Sequence, residues 1–564
     1  MANHSLIRHY LMGSSGIENV CISEPVQLKE HTGFQILLFV LFSGLALLAA
    51  LLTASNVRKI DPDVMQYVGA ARQIAKGEGA TTTILYPAFV PRLPAPFVIW
   101  PPLYPAVIAG VSKFGMDAGV AARWVSLFAF ALSDGMLWEI GSTFFETIDG
   151  AIAVLLIVMW PPARTNAAYG LSESLFTLFF LTSVLMSAKS LSYSQRRRDL
   201  AMALGGLAMG AAALTRFMGA ALIPIGFVSL LIASLSDKRE PARKKITGFL
   251  LWILFASFAP MAWCLRNWIL TGHLRGIDSQ ADSLGWAFHA TSILGGIVSD
   301  FLPFLAATHL RLRFQLLDFG IIGALVVVLA QKSGFRSDNA IRAAMKALGG
   351  SPQRRLVSFM TIGYLIALLI VRSSLGVADP IGTRYLMPSY PLLLLLAVAC
   401  AVAFLGAILP GLTTMLIVGT AAAFLVTMTS LFSTLNGAGL RLTPPPAPEW
   451  VRWVAANATS DTLIIGNLAH EYNFYLDRPV LAFSSHPFCP YSHFNCQKIS
   501  RILVGLGQPH AYLILKELDT SDMSRYGEAI DQILKGKTPL PLRLLHRSST
   551  FAAYEVLDSR WQCN

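Results

Sequence analysis

The sequence predicts an all-α polytopic membrane protein with a small α/β domain at its C-terminal end. Of the 564 residues, 54% are hydrophobic and only 13% are charged, whereas a soluble domain has about 25% charged residues. Apolar runs longer than about 18 residues, the length that spans a bilayer, recur along the chain. After residue 436, short apolar segments of strand length alternate with segments of helix length, which is typical of an α/β domain.

The first apolar run marks the first predicted span. Residues 1–32 precede it, have mixed composition and show no cleavable signal peptide. The run itself, 33–54, is long enough to remain as a membrane anchor. We therefore expect residues 1–32 to form a cytoplasmic N-terminal segment.

Further apolar runs give about eleven spans in all. They lie at residues 119–145, 150–163, 174–188, 200–214, 219–235, 246–264, 319–330, 356–371, 389–409 and 411–435. The sequence therefore predicts one transmembrane module over residues 33–435, with a first external loop at 55–118.

Positive charge orients this module. The net charge is +12, and its surplus lies in three basic segments, 187–199, 236–245 and 331–355. They follow spans four, six and eight, so a cytoplasmic N-terminus places all three on the cytoplasmic side, as the positive-inside rule requires. The same count places segments 55–118, 164–173, 265–318 and 372–388 outside, together with the tail. The basic segments lack interleaved aromatic residues, so we do not expect nucleic-acid binding.

The tail, residues 436–564, is predicted to be an extracytoplasmic α/β domain. It follows the proline linker PPPAP at 444–448, which is stiff. The segments TLIIG, PVLAF, AYLIL and FAAYEV have the composition of strands.

Two cysteines of the tail lie in the segment FCPYSHFNC. Cys489 and Cys496 could form a disulfide in an oxidising compartment. They could also join His486 and His493 in a zinc site, or remain two free thiols. The sequence leaves these alternatives open.

The stretch KIDPDVMQYVGAARQIAKGEG, residues 59–79, sets two acids just after the first span. Asp61 before Pro62 fits a helix N-cap with proline at the first helical position. Asp63 then lies in the first turn, and Tyr67 shares its face. An apolar stripe predicts that this helix lies flat in the membrane interface, which would hold Asp63 between water and lipid tails.

Carboxylates and arginines at one membrane face point to chemistry on a lipid-borne substrate. A carboxylate is a natural general base for an acceptor hydroxyl, and arginine can bind a phosphate with two parallel hydrogen bonds. Asp63 is the candidate base, and Asp61 stays open as an alternative. The other candidates, all at external ends of spans, are Glu173, Arg216, Arg266, Arg384 and Tyr385. Each arginine alone also fits an interfacial anchor.

No motif in the chain provides dedicated ligand spacing for a metal. We therefore expect no obligatory metal and no cofactor. A multi-pass lipid or solute transporter or flippase without covalent chemistry is the rival class. Transporters place ionisable residues near mid-membrane in related halves, whereas here the acids cluster at one face.

Several short motifs in order carry a resemblance to a known family. DxxxY follows the first span, then come WPPLYP, an ARW helix start, SESLF, RNW and RYLMPSYP. This order resembles the C-type (GT-C) integral membrane glycosyltransferases, over residues 33–435. It looks closest to the branch of the protein O-mannosyltransferases and the lipid A aminoarabinose transferases. Trp100 stands where the latter tend to have lysine.

The resemblance implies an inverting glycosyltransferase that moves a hexose or pentose from a polyprenyl- or dolichyl-phosphate donor to a hydroxyl acceptor. The acceptor is a protein, a lipid or a glycan, and transfer takes place at the extracytoplasmic face of a membrane, here expected to be a bacterial inner membrane. By analogy the acid of DxxxY is the base, which is Asp63 here. The same analogy assigns donor and phosphate binding to Arg384 first, with Tyr385, then to Arg266, Arg216, Glu173 and Tyr67.

Overall fold

The computed structural model describes residues 32–57, 59–85, 94–235, 242–276, 285–301, 337–374, 381–408, 410–433, 442–443, 445–482, 510–516 and 542–556. The chain divides into two compact units, Met1–Leu38 and Phe39–Asn564. The described part of the first unit is the beginning of the first helix. The second unit contains the rest of that helix and every other described element.

Most of the described chain is α-helical. The helices up to residue 235 are α1 (Thr32–Ala54), α2 (Pro62–Ala75), α3 (Leu103–Ser112), α4 (Ala118–Phe144), α5 (Thr147–Met159), α6 (Pro161–Tyr169), α7 (Glu173–Ser190), α8 (Gln195–Thr215) and α9 (Met218–Leu235). The later helices are α10 (Ala242–Thr271), α11 (Gly285–Phe301), α12 (Ser337–Gly349), α13 (Pro352–Ser374), α14 (Thr383–Leu386), α15 (Tyr390–Ile408), α16 (Pro410–Ser433), α17 (Glu449–Asn457) and α18 (Ala469–Leu476).

Six described helices are long and apolar enough to cross a membrane, or seven if a bent pair counts as one span. The predicted number of about eleven is therefore not confirmed. Helices α7, α8 and α9 cover three of the predicted spans. They are too short or too polar to count as membrane-spanning helices by length and composition. The predicted span 319–330 lies outside the described residues.

The bent pair is the predicted third span, 150–163. It is two helices, α5 and α6, which meet at an angle of 62°. Trp160 between them has an extended backbone, and Pro161 begins α6. Proline lacks the backbone N–H that a continuing helix needs but is at home in a first helical turn. The apolar run could be read from the sequence, but the bend could not.

Small residues let the helices approach closely. A Cβ atom at Gly206 of α8 would lie 2.3 Å from the Trp252 backbone oxygen of α10, which is shorter than any real contact. Gly141 of α4 and Gly150 of α5 approach each other just as closely. A Cβ atom added at Gly141 would lie 2.4 Å from the Gly150 Cα. Such small-residue contacts are typical of helix packing in membranes.

The strands form two sheets. They are β1 (Thr81–Thr82), β2 (Ile84–Leu85), β3 (Ala95–Pro96), β4 (Thr462–Gly466), β5 (Val480–Ala482), β6 (His510–Lys516), β7 (Leu542–Arg547) and β8 (Phe551–Val556). β1 and β3 pair antiparallel. The larger sheet has the order β2-β5-β4-β6-β8-β7, parallel from β2 to β6 and antiparallel through β8 to β7.

The four segments predicted to be strands in the tail are β4, β5, β6 and β8. Strand β7 was not predicted, because its segment LRLLHR lies mostly exposed and carries two arginines and a histidine. Strand β2 belongs to the segment 55–118, predicted as the first external loop, and joins the sheet through β5. The division of the chain at residue 436 stays a prediction.

The tail contacts helix α2 directly through α18. The Arg72 guanidinium donates from Nη1 to the backbone oxygen of Phe474 at 2.6 Å, and its charge lies 5.5 Å from the centre of the Phe474 ring. The Lys76 ammonium pairs with Asp477 at 2.8 Å, and Asn473 donates to the Thr83 hydroxyl at 2.6 Å. The position of α2 therefore depends on the tail.

Replacing Arg72 by methionine is expected to lower the stability of the chain by about 1–3 kcal/mol, since it removes hydrogen bonds from a charged donor to buried carbonyl groups. Thermal unfolding of the purified protein in detergent measures the change. Arg452→Met, which removes an exposed arginine of α17, is the matched control. Equal unfolding midpoints for the two variants would contradict this role of Arg72.

Two of the six cysteines are described, and both Cys264 and Cys400 are free. Cys489 and Cys496, with the neighbouring histidines, lie outside the described residues. The alternatives of a disulfide, a zinc site or free thiols there stay predictions.

Candidate active site

Helix α2 begins as the sequence predicts. Asp61 is its N-cap, with an extended backbone and a side chain that accepts a hydrogen bond from the Asp63 backbone N–H at 2.9 Å. Pro62 is the first helical residue, and Asp63 lies in the first turn. The two carboxylates therefore stand together at the start of one helix.

The apolar face of α2 is buried in protein. This face therefore packs against protein and not against lipid, while the position of α2 flat in the membrane interface stays a prediction. Val64, Tyr67, Val68 and Ala71 are each at most 1% exposed, and they share one core with residues of α3, α4 and α18. The periodic stripe identified the buried face, but periodicity does not distinguish a protein core from a membrane surface.

The third acid, Glu173, follows the turn between α6 and α7. Gly170 ends α6 with φ 83°, a left-handed conformation that favours glycine. Its backbone oxygen accepts from the buried Tyr104 hydroxyl of α3. The turn leads to Ser172 and to Glu173, the first residue of α7, whose side chain is only 1% exposed.

Arg384 contacts all three acids. It lies on the short helix α14. Its Nη2 is 2.6 Å from the Asp63 carboxylate, and its Nη1 is 3.6 Å from that of Asp61. Its Nε donates to the Glu173 carboxylate. One guanidinium thus faces three carboxylates that are far apart in the sequence.

A second arginine lies on the other side of Glu173. Arg216, which caps the C-terminal end of α8, approaches the Glu173 carboxylate at 2.9 Å and donates to the Ser172 hydroxyl at 3.0 Å. The Tyr67 hydroxyl is 3.2 Å from the same serine oxygen. We call Asp61, Asp63, Glu173, Arg216 and Arg384 the charged cluster.

The charged cluster has a buried side and an open side. Glu173 is almost wholly buried between the two arginines, whereas the side chains of Asp61, Asp63 and Arg384 are 26%, 20% and 26% exposed. Burial raises the pKa of the Asp61 carboxyl above its usual value, although the Arg384 charge opposes this. With three carboxylates and two guanidinium groups, the ionised cluster carries one negative charge in excess. Asp61, Asp63 and Arg384 form the side of the cluster that a substrate can reach.

Asp300, which was not among the residues predicted from the sequence, holds the segment that carries Arg384. It lies near the end of α11 and accepts hydrogen bonds from the Thr383 hydroxyl at 2.9 Å and from the Tyr390 hydroxyl at 2.6 Å. These two residues flank residues 384–389, which comprise most of α14 and a short 3-10 helix, Met387–Ser389. The one signal in the sequence is a single acid in the apolar stretch GGIVSDF.

Tyr385 and Arg266 make other contacts in this structure. The Tyr385 ring faces the Arg372 guanidinium at 4.4 Å. Arg266 donates to the backbone oxygens of Phe97 at 3.2 Å and Ala80 at 3.0 Å. Arg266 therefore ties α10 to the segment between α2 and α3.

Within the described ranges, no group of three or more His, Cys, Asp or Glu residues is arranged to hold a metal ion. The carboxylates of the charged cluster face guanidinium groups instead.

Known proteins resemble the chain in sequence and in fold. Residues 100–263 match the family described as dolichyl-phosphate-mannose-protein mannosyltransferase. This match includes Glu173 and Arg216. No curated protein sequence matches the chain.

Solved structures match almost the whole chain. ArnT from Cupriavidus metallidurans, solved bound to undecaprenyl phosphate, superposes with a TM-score of 0.57 at 14% identity, covering 94% of this chain and 99% of its own. Its apo state superposes with a TM-score of 0.57 at 15% identity, covering 93% of this chain and 98% of its own.

The archaeal oligosaccharyltransferase AglB from Archaeoglobus fulgidus, solved with an inhibitory peptide and a dolichol-phosphate, gives a TM-score of 0.52 at 12% identity over 94% of this chain and 75% of its own. At such low identity the likeness shows the fold. The chain is an integral membrane protein with the fold of the GT-C-type glycosyltransferases, which confirms the resemblance predicted from the sequence.

Proposed function

We propose that the chain is an inverting glycosyltransferase that moves a monosaccharide, a hexose or a pentose, from a polyprenyl- or dolichyl-phosphate donor to a hydroxyl acceptor on a protein, a lipid or a glycan. The observation that carries the proposal is the contact of the Arg384 guanidinium with the acids of α2 and with Glu173. This contact brings together a general base that can deprotonate a hydroxyl and a cation that can bind a phosphate. The GT-C fold supports it, as do the lipid phosphates bound in the ArnT and AglB structures.

In the proposed reaction Asp63 takes the proton of the acceptor hydroxyl. The acceptor oxygen forms a bond to the anomeric carbon while the bond from that carbon to the phosphate oxygen breaks. The electron pair of the broken bond leaves with the polyprenyl phosphate. Attack from the side opposite the phosphate inverts the anomeric configuration. A positioned general base contributes about 10²- to 10⁴-fold to such a rate.

Arg384 and Arg216 would bind the phosphate that leaves. A guanidinium can bind a phosphate with two parallel hydrogen bonds, and its charge stabilises the negative charge that develops as the sugar departs. Glu173, buried between the two arginines, would hold them at a fixed separation. Asp63 lies 2.6 Å from Arg384. In the proposed reaction the anomeric carbon would lie between the acceptor held by Asp63 and the departing phosphate, as in-line attack requires.

Other predicted site residues have supporting parts in this proposal. Tyr67 would fix Ser172 beside Arg216, given its 3.2 Å contact with that serine. Tyr385 would line the site next to Arg384, and Arg266 would hold the segment before α3. Asp61 would cap α2 and remains the alternative base.

We propose that the charged cluster and the tail lie on the extracytoplasmic side of a membrane, as in a bacterial inner membrane, with the N-terminus cytoplasmic. The basic segments support this orientation through the positive-inside rule. The donor would then enter from the outer leaflet, with its lipid chain in the bilayer.

A panel of radiolabelled polyprenyl-phosphate sugars tests the proposal. Purified full-length chain is reconstituted into liposomes with membrane extract as the source of acceptor, and the label is followed by extraction. We expect label to leave the lipid for one donor and to appear in the acceptor. Movement of intact donor across the bilayer without loss of label would favour the flippase alternative. If no donor is bound, transferred or moved, the proposed function is wrong.

Asp300 is expected to act as a positioning residue for Arg384. Asp300→Asn keeps the size of the side chain but removes the charge that accepts two hydroxyl hydrogen bonds. A hydrogen bond to a charged group contributes about 1.5–3 kcal/mol, so we expect transfer to fall roughly 10- to 100-fold. Steady-state kinetics should show much of the loss as a higher KM for the donor.

Tyr390→Phe provides the matched comparison, since it removes one of the two hydrogen bonds that Asp300 accepts. If the two residues act together, the double variant should lose no more than Asp300→Asn alone. Losses that simply add would contradict a shared positioning role.

A further inference from the structure

Helix α12 packs against protein on one side only. Its sequence, SDNAIRAAMKALG, is too short and too polar for a membrane span, and the helix contacts α15. Ala340 and Ala347 are buried, and the backbone oxygen of Ala344 lies 3.8 Å from the Cys400 thiol of α15. The alanine side of α12 therefore faces α15.

Another side of α12 is apolar and exposed. Ile341 and Met345 lie one turn apart and are 51% and 67% exposed. Arg342 and Lys346 directly follow them in the sequence, also lie one turn apart and are exposed. A row of large apolar side chains thus runs along the helix next to a row of cations. We call these four residues the α12 stripe.

Helix α12 adjoins the membrane face opposite the charged cluster. Pro352 begins α13, a candidate span, three residues after α12 ends. The next residue, Gln353, donates to the hydroxyl of Ser192, just beyond the end of α7, at 2.7 Å. Helix α7 begins at Glu173 in the charged cluster, and its 18 residues rise by about 27 Å. This rise is close to the thickness of the hydrocarbon core of a bilayer, about 30 Å.

The segment around α12 is positively charged. Residues 331–355 include six basic residues and one acid, Asp338. In the orientation proposed above, this segment lies on the cytoplasmic side of the membrane. Anionic lipids give the cytoplasmic surface of a membrane a negative potential, which attracts lysine and arginine next to a span. The charge of the segment is therefore complementary to such a surface.

We propose that the α12 stripe docks on an anionic membrane surface. Ile341 and Met345 enter the boundary between head groups and acyl chains, and Arg342 and Lys346 contact the lipid phosphates, as in amphipathic helices at membrane interfaces. The charge of the segment and the direct continuation of α12 into a span favour a lipid surface over a second protein. The docking is separate from the proposed transfer reaction and shares with it only the orientation in the membrane.

Oxidation of Met345 by hydrogen peroxide tests the docking, because the thioether is converted to the sulfoxide where the oxidant reaches it. The purified full chain is reconstituted into nanodiscs of phosphatidylcholine or of phosphatidylglycerol, and the sulfoxide is followed by peptide mass spectrometry. We expect Met345 to oxidise roughly tenfold more slowly in phosphatidylglycerol. Met415, 69% exposed on the candidate span α16, is the internal control and should oxidise equally slowly in both lipids.

Equal oxidation of Met345 in the two lipids would overturn the proposal. If both rates were as slow as that of Met415, the stripe would contact lipid without selecting its charge. If both were fast, the stripe would face water, which would favour a protein partner.

Two double variants locate the contact. Arg342→Gln with Lys346→Gln should fold, since both side chains are exposed, and should remove the difference between the two lipids. Arg196→Gln with Arg197→Gln removes two exposed charges from another basic segment and should keep the wild-type difference. A difference that persists without Arg342 and Lys346, or that disappears equally in the control variant, would contradict the α12 stripe as the docking site.

Discussion

Asp63→Asn is expected to abolish detectable transfer while the chain stays folded and binds the donor. The substitution keeps the shape of the side chain and one oxygen that can accept from Arg384, but it removes the proton acceptor. Loss of a general base lowers a rate by about 10²- to 10⁴-fold. The measurement compares single-turnover transfer of labelled sugar with equilibrium binding of the same donor.

Asp61→Asn is the matched control because it removes a neighbouring charge with little effect on the helix. Asparagine is as good an N-cap as aspartate, so α2 should still begin at Pro62. We expect transfer by Asp61→Asn to fall far less than by Asp63→Asn. If Asp61→Asn loses transfer and Asp63→Asn retains it, the base is Asp61. If both variants transfer normally, neither acid is the base.

Arg384→Gln is expected to have the second large effect, on both donor binding and transfer. It removes the guanidinium that contacts Asp63, Asp61 and Glu173, so the acids would repel one another and the phosphate would lose its nearest cation. Removing one group that stabilises developing negative charge costs about 10²- to 10³-fold in rate. The affinity for polyprenyl phosphate, the expected product, should fall in parallel.

Arg384→Lys separates charge from geometry. A lysine ammonium is a point charge that cannot form the two parallel hydrogen bonds of a guanidinium. We therefore expect Arg384→Lys to recover part of the affinity for polyprenyl phosphate and little of the rate. Arg452→Gln, at an exposed position of α17, should behave as wild type does. Wild-type affinity for polyprenyl phosphate in Arg384→Gln would show that the phosphate binds elsewhere.

The local features of the candidate site could be predicted from the sequence. The pattern Asp61-Pro62-Asp63 specifies an N-cap and a first helical turn through short-range rules, and the structure has both. The one-sided placement of acids and arginines pointed to a shared site. The contact of Arg384 with Glu173 joins residues 211 positions apart, which the order of the spans brings together.

Features that depend on partners far away in the chain could not be predicted in this way. A two-residue strand such as β2 has no pattern of its own and exists through its pairing with β5. Asp300 matters through two hydroxyls, of Thr383 and Tyr390, that lie about 80–90 positions later. The apolar face of α2 has the periodicity of an interfacial helix. Only its packing against α18 and neighbouring helices distinguishes a face buried in protein from a face that contacts lipid.

The anomeric configuration of the product tests the central claim most directly. The chain is supplied with a donor of known anomeric configuration, and the linkage formed on the acceptor is determined by NMR. Direct displacement, with Asp63 as the base and the lipid phosphate leaving beside Arg384, predicts complete inversion. Retention of configuration, or sugar that stays on its lipid phosphate with every donor and acceptor supplied, would contradict it.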